Sequence, residues 1–215
     1  VILSNLDIWH KYKQKLYDNN IFKHDYKDTS RISINKCLVE SEELKLIYNI
    51  LNYLREKNEV EFIEDKDNIE VLFKNDYLKG FIFKSGTWLE VLTTLVVQSI
   101  EDIDEVKSGL TFYWGDDLKR VRNELDVVAI RDSVLICISC KDSDKYDEDA
   151  LNELQVYSER LGGKNAIKIL VATKQPVKKT VLDRAKEMNI NIVTLDKNID
   201  IFKKALIDLI KKKTV

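Results

Sequence analysis

The feature that most constrains the fold is a pair of apolar segments, 124–130 and 134–140, separated by only three residues. Both segments are rich in Val, Ile and Leu, and the polar tripeptide Arg131-Asp132-Ser133 lies between them. β-Branched residues favour extended strands, and so short a polar break joins neighbouring antiparallel strands. The sequence therefore predicts a β-hairpin in the second half of the chain.

Charged residues interrupt this otherwise apolar hairpin. Side chains alternate along a strand, so Glu124, Asp126 and Val128 are predicted to share one face of the first strand. Ser139 and Lys141 are predicted to share a face of the second. Asp126 and Lys141 are costly to bury unless they are paired or bind a metal. A carboxylate and an ammonium that converge at the open end of a hairpin can hold a divalent cation and polarise a water or a phosphate.

Length, charge and hydropathy limit the class of protein. A chain of 215 residues with 44% apolar and 33% charged residues suits one well-cored globular domain and a smaller one. The net charge of −2 argues against a uniformly basic nucleic-acid coat but allows a local basic groove. No apolar run reaches membrane-spanning length and no secretory signal is evident, so no membrane partner is expected. Because the chain opens with Val1, we expect an N-terminal portion to precede it.

The three cysteines indicate a reduced protein. An odd number does not make a disulfide framework, and a cytoplasmic location is expected. Cys137 and Cys140 form a C-x-x-C, but residues three apart on a strand point to opposite faces. His10 and His24 lie far away in the sequence, so a zinc site is disfavoured.

Residues 1–80 are predicted to form a linker and a small helical, winged-helix-like module. Its predicted parts are a helix within 1–20, an irregular connector over 21–40, a helix from its N-cap Ser41 to about residue 57, and strands near 59–64 and 68–74. A packing or dimerisation unit explains this pattern at least as well as a nucleic-acid reader, because no Arg/Lys stripe marks a recognition helix.

Residues 81–215 are predicted to form a second, α/β domain. From residue 86 the periodicity and turn signals give the order α-β-β-β-α-β-α-β-α. Trp88, Phe112 and Trp114 are predicted to be core residues rather than stacking platforms. Asp142 and Asp144 are expected in a solvated loop, and Asp147 at a helix N-terminus.

This order resembles the PD-(D/E)xK nuclease superfamily, whose core is α-β-β-β-α-β. The residues that carry the resemblance are Gly86-x-Trp88-Leu89-Glu90, Asn123-Glu124-x-Asp126, Ser139-Cys140-Lys141 and Leu151…Leu154…Gly162-Gly163. They resemble the CRISPR ancillary nucleases that join a C-terminal PD-(D/E)xK domain to an N-terminal CARF sensor. The match covers about 84–172 well and the first 80 residues only loosely. It implies an α/β fold with a restriction-endonuclease-like mixed sheet flanked by helices, preceded by the small α+β module.

The resemblance also implies roles for individual residues. Asp126 and the backbone carbonyl of Cys140 would hold Mg²⁺ or Mn²⁺, and Glu90 would complete the metal site. Lys141 would orient the attacking water or stabilise charge on the phosphate. Gln155 would touch a substrate phosphate, although a solvated helix face explains it better. Glu90 also has a structural explanation, since Thr87-x-x-Glu90 reads as a capping box.

The function that the resemblance implies is metal-dependent cleavage of single-stranded RNA, single-stranded DNA or duplex DNA in antiviral defence. The enzyme would be a homodimer, activated by cyclic tetra-adenylate bound to a CARF sensor upstream of this chain. Two alternatives stay open. One is a catalytically silent nucleic-acid-binding module on the same fold. The other is a restriction or repair nuclease without nucleotide control.

One position departs from the family pattern. The motif has Asp or Glu two residues before the lysine, and this chain has Ser139 there. Three explanations remain. Glu124, on the same predicted strand face as Asp126, supplies the missing charge, which we favour. Alternatively, Ser139 holds the metal through a water, or the site is inactive and the domain only binds nucleic acid.

Overall fold

The chain folds into two compact units. The structure, a computed structural model, describes residues 1–75, 78–80, 86–113 and 122–212. The units are Val1–Thr87 and Trp88–Val215, and each has its own β-sheet. The predicted boundary between residues 80 and 81 adjoins 81–85, which lie outside the described residues, so that boundary stays a prediction.

The first unit is built on an antiparallel sheet with the strand order β1-β2-β4-β3. Its elements are α1 (Leu6–Tyr12), β1 (Phe22–His24), β2 (Arg31–Asn35), α2 (Ser41–Glu56), β3 (Val60–Glu64) and β4 (Asn68–Phe73). Burial alternates along the strands, as in β2, where Ile32 and Ile34 are fully buried between more exposed neighbours. The sheet therefore has one apolar face, as is usual for an antiparallel sheet covered on one side.

Three predictions for this unit are wrong in detail. Residues 21–40, predicted to be an irregular connector, contain β1 and β2, and β2 also pairs with β4. The two predicted strands therefore belong to a larger sheet rather than to a separate two-stranded wing. Ser41 begins α2 as its first helical residue, and the N-cap is Glu40, because Glu40 and Glu43 form a reciprocal capping box.

The second unit follows the predicted element order. Its elements are α3 (Thr87–Gln98), β5 (Glu105–Tyr113), β6 (Arg122–Arg131), β7 (Val134–Lys141), α4 (Glu148–Gly162), β8 (Ile167–Ala172), α5 (Lys179–Glu187), β9 (Ile190–Thr194) and α6 (Ile199–Lys212). The order α-β-β-β-α-β-α-β-α is confirmed, as is the α/β fold with a mixed sheet flanked by helices. None of the helices in the described ranges is both long and apolar enough to cross a membrane.

The sheet of the second unit has the order β5-β6-β7-β8-β9. Strands β5, β6 and β7 are antiparallel neighbours, whereas β8 runs parallel to β7 and to β9. Every residue of β8 is buried, as expected for a central strand covered on both faces. Helices α4 and α5 join the sheet in a core cluster that contains Leu125, Val128, Cys137, Tyr146, Leu151, Leu154, Leu170, Ala172, Val181, Ala185 and Ile190.

Strand β6 does not keep a strict two-residue alternation. Leu125 and Val128 both pack in the core cluster with α4 and α5, although strict alternation places residues three apart on opposite faces. The predicted common face of Glu124, Asp126 and Val128 is therefore wrong for Val128. The change of phase lies beside Asp126, where a strand irregularity re-aims side chains.

Candidate active site

Asp126 lies where the pairing of β6 with β7 ends, and it bonds to β7 through its side chain. The registered pairs reach as far as Val127. Next to that pair, Asp126 Oδ2 accepts hydrogen bonds from the backbone N–H of Cys140, at 2.6 Å, and from the Ser139 hydroxyl, at 3.2 Å. These bonds fix the carboxylate against the end of β7, whose last residue is Lys141. The structure thus brings Asp126 to the predicted Ser139-Cys140-Lys141 segment.

Glu90 reaches this region from the first turn of α3. The helix begins at Thr87, and Gly86 precedes it with a φ of 103°, a backbone angle that glycine adopts without a steric penalty. The positive φ explains why glycine suits position 86 of the Gly86-x-Trp88-Leu89-Glu90 segment. The explanation of Glu90 as part of a Thr87-x-x-Glu90 capping box stays a prediction.

The electrostatics tie Glu90 to the residues of the hairpin. The pKa of Glu90 is raised to about 7, chiefly by burial and then by the charges of Asp126 and Glu124, while Lys141 lowers it. Two carboxylates therefore act on Glu90, and the Lys141 ammonium opposes them. Such an excess of negative charge is the condition that a bound divalent cation relieves.

This raised pKa predicts how the metal-free protein responds to pH. Glu90 in the unfolded chain titrates near 4.5, so between about pH 4.5 and 7 the folded state holds a proton that the unfolded state releases. Raising the pH through this window therefore lowers stability. Glu90→Gln removes the effect, and we expect it to unfold at higher urea concentration than the wild type at pH 8 in EDTA, with little difference at pH 4.5.

Urea midpoints at pH 4.5, 6, 7 and 8 measure this prediction. Glu101→Gln, at an exposed position just beyond α3, is the matched control and should follow the wild type. A Glu90→Gln variant whose midpoints fall with pH as steeply as those of the wild type would contradict the assigned electrostatics.

Glu124 and Ser139 bear on the missing acidic residue. Glu124 is exposed, lies 3.6 Å from the guanidinium of Arg122, and contributes to the raised pKa of Glu90. Its carboxylate passes close to Gly109, where an added Cβ would be only 3.3 Å from Glu124 Oε1 and where φ is +62°. Ser139 is nearly buried and donates its hydroxyl proton to Asp126. Ser139 therefore orients the Asp126 carboxylate, and the explanation that Glu124 supplies the missing charge stays a prediction.

The donor set suits a hard cation with few protein ligands. Within the described residues, no three His, Cys, Asp or Glu side chains are grouped closely enough to hold a metal by themselves. Mg²⁺ needs no such group, since it is commonly bound by one or two carboxylates and keeps several waters. The carboxylates of Asp126 and Glu90, with the carbonyl of Cys140, fit this pattern of oxygen ligands.

The structure gives Gln155 other partners. Its amide oxygen accepts a hydrogen bond from Lys168 at 2.6 Å, and its amide nitrogen donates to Glu159 at 2.5 Å. Lys168 is itself buried in β8. Gln155 therefore ties α4 to the sheet, and its predicted contact with a substrate phosphate gains no support from this geometry.

Sequence reasoning missed Asp142. It was expected in a solvated loop, but it is only 6% exposed and accepts hydrogen bonds from Trp88 and Thr173. The expectation failed because both partners are remote in sequence, 54 and 31 residues away. The other acidic positions agree better, since Asp147 is the N-cap of α4. Trp88 is buried as predicted, whereas Trp114 lies outside the described residues.

The cysteines of the C-x-x-C have different neighbours. Cys137 lies in the core cluster beneath α4, and Cys140 Sγ contacts the hydroxyl of Thr93 on α3 at 3.7 Å. Burial raises the pKa of both thiols, so both are held in the protonated form. These side chains are core residues, as the strand pattern indicates.

The fold and a family-model match together identify the class of protein to which the chain belongs. The second unit is a mixed β-sheet flanked by helices. A family model described as "Card1-like, endonuclease domain" matches residues 79–212, well over half of the chain. The chain therefore belongs to the Card1-like endonuclease domain family. No curated protein matches it.

Two solved structures are similar over almost the whole chain. Protein VC1899 from Vibrio cholerae aligns with a TM-score of 0.69 at 18% identity, over 99% of this chain and 54% of that one. Can2 from Sulfobacillus thermosulfidooxidans, solved in complex with cyclic tetra-adenylate, aligns with a TM-score of 0.60 at 17% identity, over 98% and 53%. Identities this low show the fold alone. The chain spans about half the length of these proteins.

Proposed function

We propose that this nuclease domain hydrolyses phosphodiester bonds with the help of Mg²⁺ or Mn²⁺ at the open end of the β6–β7 hairpin. The observation that carries the proposal is the pair of hydrogen bonds that fixes the Asp126 carboxylate against the strand end formed by Ser139, Cys140 and Lys141. The raised pKa of Glu90, to which Asp126 and Glu124 contribute and which Lys141 opposes, supports it. Carboxylates gathered around one lysine at a strand end, in a member of an endonuclease family, are the parts that such a reaction needs.

Each residue has a distinct part in this proposal. Asp126 and Glu90 would hold the cation through their carboxylates, and Cys140 would contribute its backbone carbonyl. The cation, when bound, supplies Lewis-acid polarisation of the phosphate and activation of a water. Ser139 keeps the Asp126 carboxylate in one orientation by donating to Oδ2. Metal ligands need such outer hydrogen bonds to be held in place.

Lys141 and Glu124 complete the site. The Lys141 ammonium donates to the phosphate oxygen on which negative charge grows, so it stabilises the transition state more than the bound substrate. Glu124 adds the negative charge that the family pattern places at position 139. It is exposed and lies 3.6 Å from the Arg122 guanidinium, so it would add its charge from the solvent side of the site.

The similarity to Can2 suggests how the full protein is regulated. Can2 was solved with cyclic tetra-adenylate, and about half of its length has no counterpart in this chain. We propose that the full protein carries a CARF sensor for this nucleotide, acts as a homodimer in CRISPR-linked antiviral defence, and works in the cytoplasm. The three free cysteines are compatible with that reducing setting.

A cleavage assay with the full-length protein tests the function. Labelled single-stranded RNA, single-stranded DNA and supercoiled plasmid are incubated with Mn²⁺, Mg²⁺ or EDTA, with and without cyclic tetra-adenylate. We expect cutting that needs the metal and increases with the nucleotide. Cutting in EDTA would contradict the metal dependence, and metal-dependent cutting that ignores the nucleotide would favour a restriction or repair nuclease. Substrate binding without cutting under every condition would favour the silent module, with Ser139 as the reason.

A further inference from the structure

A buried carboxylate links three elements beside the proposed metal site. Asp142 follows Lys141 directly, and its Oδ2 accepts a hydrogen bond at 2.8 Å from the indole N–H of Trp88 in the first turn of α3. Its Oδ1 accepts another at 2.9 Å from the Thr173 hydroxyl, just beyond β8. The backbone N–H of Thr173 donates in turn to the Lys141 carbonyl at 3.2 Å. All three side chains are buried.

The Trp88–Asp142 bond lies next to the proposed metal ligands in the sequence. Trp88 is two residues before Glu90, and Asp142 is one residue after Lys141. The Trp88–Asp142 bond therefore joins the helix that carries one proposed metal ligand to the strand end that carries the others. Hydrogen bonds to a carboxylate are shorter and stronger than neutral ones, and a buried bond is not exchanged for water. The link is thus stiff enough to set a position.

We propose that Asp142 is a positioning residue of the nuclease site, which fixes the distance of Glu90 from Asp126 and Lys141 by holding Trp88. The inference rests on the proposed metal-dependent function. A carboxylate that ligates Mg²⁺ must be held close to its final position, because this small cation demands near-ideal geometry. Through its Trp88 bond, Asp142 meets that demand without touching cation or substrate.

Variants of the two donors separate positioning from stability. Trp88→Phe removes the bond to α3, whereas Thr173→Val removes the bond to β8 from the same carboxylate with almost no change of shape. Val181→Ala in α5 removes buried volume away from the site and controls for the smaller ring of phenylalanine.

Two measurements are made on each full-length variant. Calorimetric titration with Mn²⁺ gives the metal affinity, and amide hydrogen exchange in EDTA reports the opening of residues 87–98. We expect Trp88→Phe to bind Mn²⁺ about tenfold more weakly, in the range found for outer partners of metal ligands. Its α3 amides should exchange faster than those of the wild type. Thr173→Val and Val181→Ala should stay within about threefold of wild-type affinity.

The outcomes distinguish this inference from the proposed function. If Trp88→Phe and Thr173→Val weaken Mn²⁺ binding equally, or if α3 exchanges at the wild-type rate in Trp88→Phe, Asp142 does not position Glu90 and the inference is overturned. A wild-type protein that binds no Mn²⁺ and cuts nothing would instead overturn the metal-dependent function. The exchange rates in EDTA would then still decide whether the Trp88–Asp142 bond holds α3.

Discussion

Asp126→Asn is expected to lower nucleic-acid cleavage by more than about a hundredfold while leaving the fold intact. Loss of even an outer partner of a metal ligand commonly costs 10- to 100-fold, so loss of the charge on the central ligand should cost more. The amide oxygen of asparagine can still accept from the Cys140 N–H and the Ser139 hydroxyl. The hydrogen bonds that place the side chain are therefore kept while its charge is removed.

A stability measurement on Asp126→Asn distinguishes loss of catalysis from loss of folding. In the metal-free protein the Asp126 charge raises the pKa of Glu90, so the variant loses a repulsion. We expect its urea midpoint at pH 8 in EDTA to equal or exceed that of the wild type. Asp149→Asn, at an exposed position in the first turn of α4, is the matched control and should cleave at the wild-type rate.

Single-turnover cleavage rates and Mn²⁺ titrations measure the two effects of Asp126→Asn. Both cleavage and Mn²⁺ affinity should be lost together. Cleavage within tenfold of the wild type would remove Asp126 from the site, and the carboxylates of Glu90 and Glu124 would then have to hold the cation without it.

The parts of the fold that the sequence predicts well are those with strong local signals. The 124–130 and 134–140 segments are long, apolar and separated by a short polar break, so they identify β6 and β7 directly. The same holds for the alternation of strands and helices from residue 86 onward. Local pattern is sufficient wherever each element buries one continuous stripe or run.

The errors arise where tertiary contacts decide. Strand β1 has three residues and β2 has five, which is too short for a pattern to emerge among the lysines and aspartates of 21–40. The burial of Asp142 depends on Trp88 and Thr173, which no local pattern connects to it. The sequence marks Asp142 only as an aspartate after a strand, which is as common in loops as in cores.

Some features of the site can also be predicted from local sequence, and others depend on tertiary contacts. Asp126 and Lys141 stand out because a charge within or at the end of an apolar strand is costly, and the structure brings the Ser139-Cys140-Lys141 segment to Asp126. The prediction that Val128 shares a face with Glu124 and Asp126 is wrong, because side chains do not alternate strictly along β6. The pKa of Glu90 could not be read from sequence, since it depends on burial and on residues from two other elements.

Lys141→Met is expected to separate catalysis from metal binding. Methionine keeps most of the length and volume of the lysine stem and removes the ammonium, so the packing at the end of β7 is preserved. If Lys141 stabilises charge that grows on the phosphate, cleavage should fall by about 10²–10³, as when one preorganised donor is removed from other active sites. Substrate affinity should change by only a few-fold.

The Mn²⁺ affinity of Lys141→Met should not fall with its cleavage rate. The Lys141 charge lowers the pKa of Glu90, which shows that its ammonium acts against the negative potential of the site. Its removal leaves that potential more negative, so Mn²⁺ should bind at least as tightly to Lys141→Met as to the wild type at pH 8. In Asp126→Asn, by contrast, cleavage and affinity are lost together.

Single-turnover rates, Mn²⁺ titration and substrate binding in Ca²⁺ give the three quantities, with Lys145→Met as a control of equal charge change at an exposed loop position. Lys145→Met should match the wild type in all three. A Lys141→Met variant that loses Mn²⁺ affinity in proportion to its cleavage rate would show that the lysine supports the carboxylates rather than the phosphate. A lysine that stabilises the transition state affects the cleavage rate alone, whereas a lysine that supports the metal ligands affects the cleavage rate and the Mn²⁺ affinity together. Comparing the two quantities therefore assigns the role of Lys141.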